Sequence, residues 1–174
     1  CKRCGFYDAP LLEALASAAV LRLSEFSPRG LGGIAWGFAT LGCPGETPSG
    51  LLLEAAAKAA TARARELGGR DAASVVWAMA TLQVHQAPLL DAIGVACKDG
   101  SFNFADMGVK EIGGLAWGIS KDATPAFQPN QSLLEAICCH VSENLLSALR
   151  DGSTHQPLDV RGWAMLVRAL TALE

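Results

Sequence analysis

The chain has 174 residues, of which 51% are hydrophobic, 18% charged and 6% aromatic, enough apolar material for one packed domain or a short repeat array and too much for a disordered tail. Its 14 basic and 17 acidic residues leave a formal charge of -3, which argues against a surface built throughout for phosphate binding. Six cysteines are too sparse for a disulfide scaffold and read as reduced thiols, and no run approaches the roughly 20 apolar residues that span a bilayer.

The abundance of Ala and Leu favours closely packed helices over sheets. Residues 1–4 read Cys-Lys-Arg-Cys, two thiols where a zinc site needs about four ligands, so no metal is expected. The first predicted helix opens at Pro10, because proline is tolerated in a first helical turn, and continues through Leu11-Leu12-Glu13-Ala14. A second helix starts at Ser27-Pro28, an N-cap followed by proline at the first helical position. Its Leu31, Ile34, Phe38 and Leu41 step by three and four, which places them on one face.

This pair of helices, A and B, then recurs. Pro48 precedes Leu52-Leu53-Glu54-Ala55, and Gly68 opens a B helix with Ala72, Val75, Met79 and Leu82 on its apolar stripe. Pro88 precedes Leu89-Leu90-Asp91-Ala92, and Gly108 opens one with Ile112, Leu115, Ile119 and Asp122. Pro129 precedes Leu133-Leu134-Glu135-Ala136, and Asp159 opens the last, with Trp163, Leu166, Leu170 and Leu173. Trp36, Trp77 and Trp117 share one column at spacings of 41 and 40 residues, and Arg168 takes that place in the fourth copy.

The pattern predicts an all-α fold: an α-solenoid of about four helix–turn–helix repeats, with eight main helices. The repeats cover approximately residues 8–46, 47–85, 86–125 and 126–174, in a single domain. Helices spaced by roughly 8–10 Å give a body about 35–40 Å long. Leu12, Leu53, Leu90 and Leu134, together with Trp36, Trp77 and Trp117, are expected in the structural core. Gly37, Ala78, Gly118 and Ala169 follow the tryptophan column, and Gly32, Ala73, Gly113 and Ala164 lie five residues earlier; always-small positions predict close approach by a neighbouring helix. The distance from the Leu-Leu pair to the tryptophan column is 24, 24, 27 and 34 residues, and the extra length is expected in exposed loops near Lys98–Asn103 and Asp151–Pro157. A chain that ends at Glu174, directly after a B helix, is expected to leave an open end for more protein or a partner.

One column carries charge in every copy. Arg29, Arg70, Lys110 and Arg161 stand seven residues before the tryptophan column, at the second helical position. A cation there opposes the helix dipole at a cost of about 0.3–1 kcal/mol. The column is either a ladder that meets phosphates or an acidic partner, or a solvated position offset by neighbours such as Asp71 and Glu111. Lys58, Arg63 and Arg65 read as a solvated basic face. His85, His140 and His155 have no nucleophile or carboxylate constellation, and Gly30-Leu31-Gly32-Gly33 lies within a helix rather than between strand and helix. No catalytic residue and no cofactor are expected.

Residues 11–42, LLEALASAAVLRLSEFSPRGLGGIAWGFATLG, resemble the octotricopeptide repeat in the leading Leu-Leu, the Phe-Ser-Pro start of helix B and the Leu-x-x-x-x-Trp-x-x-Ala-x-Leu-Gly ending. The likeness extends more weakly from about Asp8 to Glu174. The resemblance implies a helical-repeat protein of organelles, plastid ahead of mitochondrion, in a family whose members commonly bind RNA and support transcript stability or translation. Two functions follow as expectations. One is a non-catalytic scaffold, a structural subunit that docks other proteins in a photosynthetic, respiratory or ribosomal assembly. The other is a factor binding single-stranded RNA along the basic column. The acidic balance and the small number of repeats favour the scaffold.

Overall fold

The computed structural model describes residues 8–42, 47–84, 86–104, 106–122 and 131–151, without the side chains of 122, 131, 132 and 144–151. Among the described residues the chain is all-helical. The helices are α1 (Ala9–Leu21), α2 (Pro28–Leu41), α3 (Pro48–Ala62), α4 (Gly69–Thr81), α5 (Ala87–Lys98), α6 (Val109–Asp122) and α7 (Gln131–Asp151). Short 3-10 turns at Leu23–Glu25 and Ala64–Glu66 join α1 to α2 and α3 to α4.

The helices begin where local chemistry tells them to. Pro10, Pro48 and Pro88 each lie in the first turn of α1, α3 and α5. Asp8 caps α1 by accepting the Leu11 N–H at 3.1 Å, and Ser27 caps α2 by accepting that of Gly30 at 3.1 Å, each contribution being about 1 kcal/mol. At α6 the reciprocal bond is made: the Glu111 carboxylate accepts the Gly108 N–H at 3.0 Å. Gly42 closes α2 in the left-handed conformation, at φ 72°. The predicted starts at Pro129 and Asp159, and the whole fourth B helix, lie outside the described residues.

Packing sorts the helices into two rows. α1 packs on α3, α3 on α5 and α5 on α7; α2 packs on α4 and α4 on α6. The core lies between the rows. Leu53, Leu89, Leu90 and Ile93 from the first row meet Val75, Met79, Leu115 and Ile119 from the second, all buried. A smaller cluster of Ala16, Leu23, Leu31, Leu52 and Ala56 fills the space around α1. Leu53 and Leu90 are therefore core residues as expected, whereas Leu12 and Leu134 are only half-buried.

The small-residue columns act between neighbouring helices of the second row. A Cβ on Gly118 would fall on Val76 Cγ1, and one on Gly32 would lie 3.2 Å from the Asp71 carbonyl oxygen. Trp77 Cδ1 sits 3.9 Å from where a Gly114 Cβ would be. The ridge Val76–Trp77 of α4 thus seats in a groove of α6 floored by Gly114 and Gly118, an approach that larger side chains would hold apart. Gln86 fastens the same region. Buried at the start of α5, it donates its Nε2 hydrogen to the Gly118 carbonyl at 2.6 Å.

One loop expectation needs correction. The third A–B connection is irregular where predicted, but it is not simply an exposed loop: Phe102 and Met107 are buried. Phe104 meets Phe102 edge to face at 5.0 Å and stacks on His140 of α7 at 5.3 Å. These aromatic residues extend the core into the connection. In the fourth unit α7 runs on to Asp151, and the loop expected at Asp151–Pro157 lies beyond it, outside the described residues.

Candidate binding surface

The tryptophan column lies off the apolar stripe, although Trp77 and Trp117 still pack against the main core cluster. The apolar stripe lies two and five residues to either side of it, which at 100° per residue is a rotation of about 140–220°. The stripe faces the first row, so the tryptophans face outward. Trp36 is 54% exposed, and Trp77 and Trp117 are half-buried. The expectation that Trp36 belongs to the core is therefore wrong, whereas Trp77 and Trp117 are half-buried and pack against the main core cluster. Being next to the stripe in sequence placed Trp36 opposite it in space.

The basic column shares this outer face. Seven residues separate Arg29 from Trp36, Arg70 from Trp77 and Lys110 from Trp117, close to two full turns. Arg29, Arg70 and Lys110 are all exposed at the second position of their helices. Arg161 lies outside the described residues. Lys121, one turn beyond Trp117, holds its Nζ 5.8 Å from the ring centroid, within cation–π range.

Acidic groups divide the basic column. Arg70 donates to the Asp106 backbone carbonyl at 3.1 Å, which ties the start of α4 to the loop before α6. Asp71 is held above the ordinary carboxylate range, mainly by burial and then by the neighbouring Asp106, with Arg29 and Arg70 pulling it back. The surface is mixed in sign: the Asp71 and Asp106 carboxylates lie close to each other, with Arg29 and Arg70 acting on Asp71. The residue that sequence reading missed here is Asp106. It lies in the irregular third connection, where no periodicity predicts its neighbours.

The second basic group, Lys58, Arg63 and Arg65, separates into different roles. Lys58 is exposed on α3. Arg63 donates to the Phe26 carbonyl at 2.8 Å and to Glu66 at 2.7 Å, bridging one A–B turn to the next. Arg65 pairs with Asp99 at 2.8 Å. Hydrogen bonds from Ser101 and then Arg65 hold Asp99 below its ordinary pKa.

The remaining chemistry is sparse. Among the described residues no group of three or more His, Cys, Asp or Glu side chains is placed to hold a metal ion. Cys138 and Cys139 are exposed on α7. Cys97 is half-buried, and burial, with the nearby Asp99, pushes its thiol up to about 11. Cys1, Cys4, His85 and His155 lie outside the described residues. Among the described residues no helix is long and apolar enough to cross a membrane. Comparison with protein-family models, curated proteins and solved structures finds no match to this chain.

Proposed function

We propose that this chain is a non-catalytic α-solenoid of about four helix–turn–helix units, and that it serves as a scaffold subunit docking other proteins through the outer face of its B helices. The observation that carries this reading is the mixture of charge, Arg29 and Arg70 beside Asp71 and Asp106, on a face that also exposes Trp36. Trp and Arg are the side chains most enriched where protein interfaces gain their affinity. A face of mixed sign complements another protein surface better than a uniform polyanion. The host would be an organellar assembly, plastid ahead of mitochondrion, on the strength of the octotricopeptide-repeat resemblance alone.

A second reading has its own support. An aromatic ring and a cation two turns apart on successive helices are the elements of a single-strand binding platform, in which bases stack on rings while cations follow the backbone. Arg29 and Trp36, both exposed on α2, are the pair best placed for it. The two readings separate by native sedimentation of the source extract with and without RNase. A large complex that survives RNase supports the scaffold; collapse to a small species supports RNA. Trp36→Ala on the full chain should weaken whichever association is found, and an unchanged association would remove the outer face from either role.

A further inference from the structure

The outer surface of the A helices carries a charge column of its own. In every copy the Leu-Leu pair is followed by a carboxylate: Glu13, Glu54, Asp91 and Glu135. All four are exposed. The helix dipole would account for an acid in the first turn, but α1, α3, α5 and α7 have none there. Among the described residues Glu13, Glu54 and Asp91 form no ion pair. Neither capping nor pairing therefore accounts for the column. Leu51 and Val95, three and four residues from Glu54 and Asp91, lie within about 60° of it around their helices. They are 59% and 49% exposed, so apolar surface accompanies the carboxylates.

The outer face of the B helices is the counterpart. Arg29, Arg70 and Lys110 are exposed, one to each helix. Of the carboxylates near them, Asp71 and Glu111 are half-buried, and Glu111 is turned to the Gly108 N–H; Asp106 is exposed. Lys121 adds an exposed cation beside Trp117. Trp36 supplies exposed apolar surface on this side. Each unit gives one helix to each row, so carboxylates on one face and cations on the other recur at the same interval, about 8–10 Å.

We infer that the acidic face of the A helices takes the basic outer face of the B helices of a second copy of this chain. The inference rests on reading the outer face of the B helices as a docking surface, and it names one occupant for that surface. The matched interval lets successive ion pairs form in a single register, while Leu51 and Val95 on one side and Trp36 on the other supply the apolar contact that exposed ion pairs alone lack. The two faces lie on opposite sides of the two-row body, so the contact does not close on two copies, and growth continues past them.

The experiment is sedimentation velocity of the full chain across rising concentration, at about 0.05 M and about 1 M salt, alongside two charge-reversal variants. In low salt the native chain's weight-average mass should climb past two copies, and in high salt it should fall toward one. Glu54→Lys with Asp91→Lys, and Arg29→Glu with Lys110→Glu, should each lose the concentration dependence while far-UV circular dichroism stays native, because all four positions face solvent. Mixed in equal amounts, the two variants should associate again, since one presents cations on both faces and the other carboxylates on both. A native chain that stays monomeric into the high-micromolar range overturns the inference. So does a mass that stops at two copies, a folded variant that associates like the native chain, or a mixture that stays monomeric. The two readings fail separately: a purified chain that stays monomeric while the source extract holds an RNase-resistant complex overturns self-association and leaves docking of other proteins on the B helices in place.

Discussion

Gly37 and Gly118 occupy the same column of the repeat, yet substitution by alanine should move stability in opposite directions at the two sites. Alanine gains about 1 kcal/mol over glycine inside a helix at either position, through lower backbone entropy in the unfolded chain and a better-shielded helix. At Gly37 the new methyl meets nothing within 4 Å, so the gain should appear undiminished. At Gly118 it would fall on Cγ1 of Val76, a fully buried β-branched side chain with little rotamer freedom, and would also approach the Val76 carbonyl oxygen to 3.3 Å. Overpacking of that kind costs about 1–3 kcal/mol, which outweighs the propensity gain or at best cancels it. The assay is urea unfolding at a concentration where the protein is monomeric, comparing midpoints at constant slope. Gly37→Ala should raise the midpoint and Gly118→Ala should lower it, with a gap of about 2 kcal/mol between them. Equal stabilisation of both variants would refute the close approach of α4 to α6, and with it the reason for the small-residue column.

Trp36→Ala should cost about 1 kcal/mol or less, since the ring faces solvent, whereas Leu53→Ala, fully buried between the rows, should cost about 2–5 kcal/mol by the same urea assay. Gln86→Glu would put a carboxylate where a buried amide oxygen has no partner among the described residues, beside the Gly118 carbonyl, and should destabilise by more than about 2 kcal/mol at neutral pH. That variant's folded-state pKa would be raised, so its lost stability should return as the pH falls and the acid is protonated, and a pH-independent loss would contradict the burial argument. Asp99, with its pKa depressed, contributes stability that is present above pH 3.8 and lost as the pH falls further; Asp99→Asn should flatten the acid limb of a stability–pH curve. In native protein at pH 8, mass spectrometry after brief alkylation should find Cys138 and Cys139, which are exposed, modified and Cys97 spared, because burial covers Cys97 and suppresses its thiolate.

How much of this was legible depends on the range of the interaction concerned. Helix starts were readable because their causes lie within four residues: Ser27 with Gly30, Gly108 with Glu111, and prolines in the first turn. The stripe of Leu31, Val75, Met79, Leu115 and Ile119 was readable because helical periodicity is a local signal. The small columns correctly announced close approach at Gly32 and Gly118 but said nothing of its absence at Gly37, which depends on whether a neighbour is present. Phe102 and Met107 sit in a connection without periodicity, so their burial could not be read from spacing.

Trp36 is the instructive failure, because the information needed was present and hydrophobicity outvoted it. The register of the stripe already placed Trp36 on the opposite side of α2, alongside Arg29. A bulky apolar residue repeated at that phase cannot be filling the space between the rows. On α4 and α6 the rings pack against the main core cluster, which explains why Trp77 and Trp117 are half-buried rather than exposed. Trp36 receives less cover, although α2 packs along α4 as closely as α4 packs along α6. Trp36 keeps a large apolar surface in water beside Arg29, a cation that opposes its helix dipole, and folding alone favours neither feature. A partner docked there would offset both costs, which is the physical basis for proposing the outer surface of the B helices, and α2 first, as the face to test for binding.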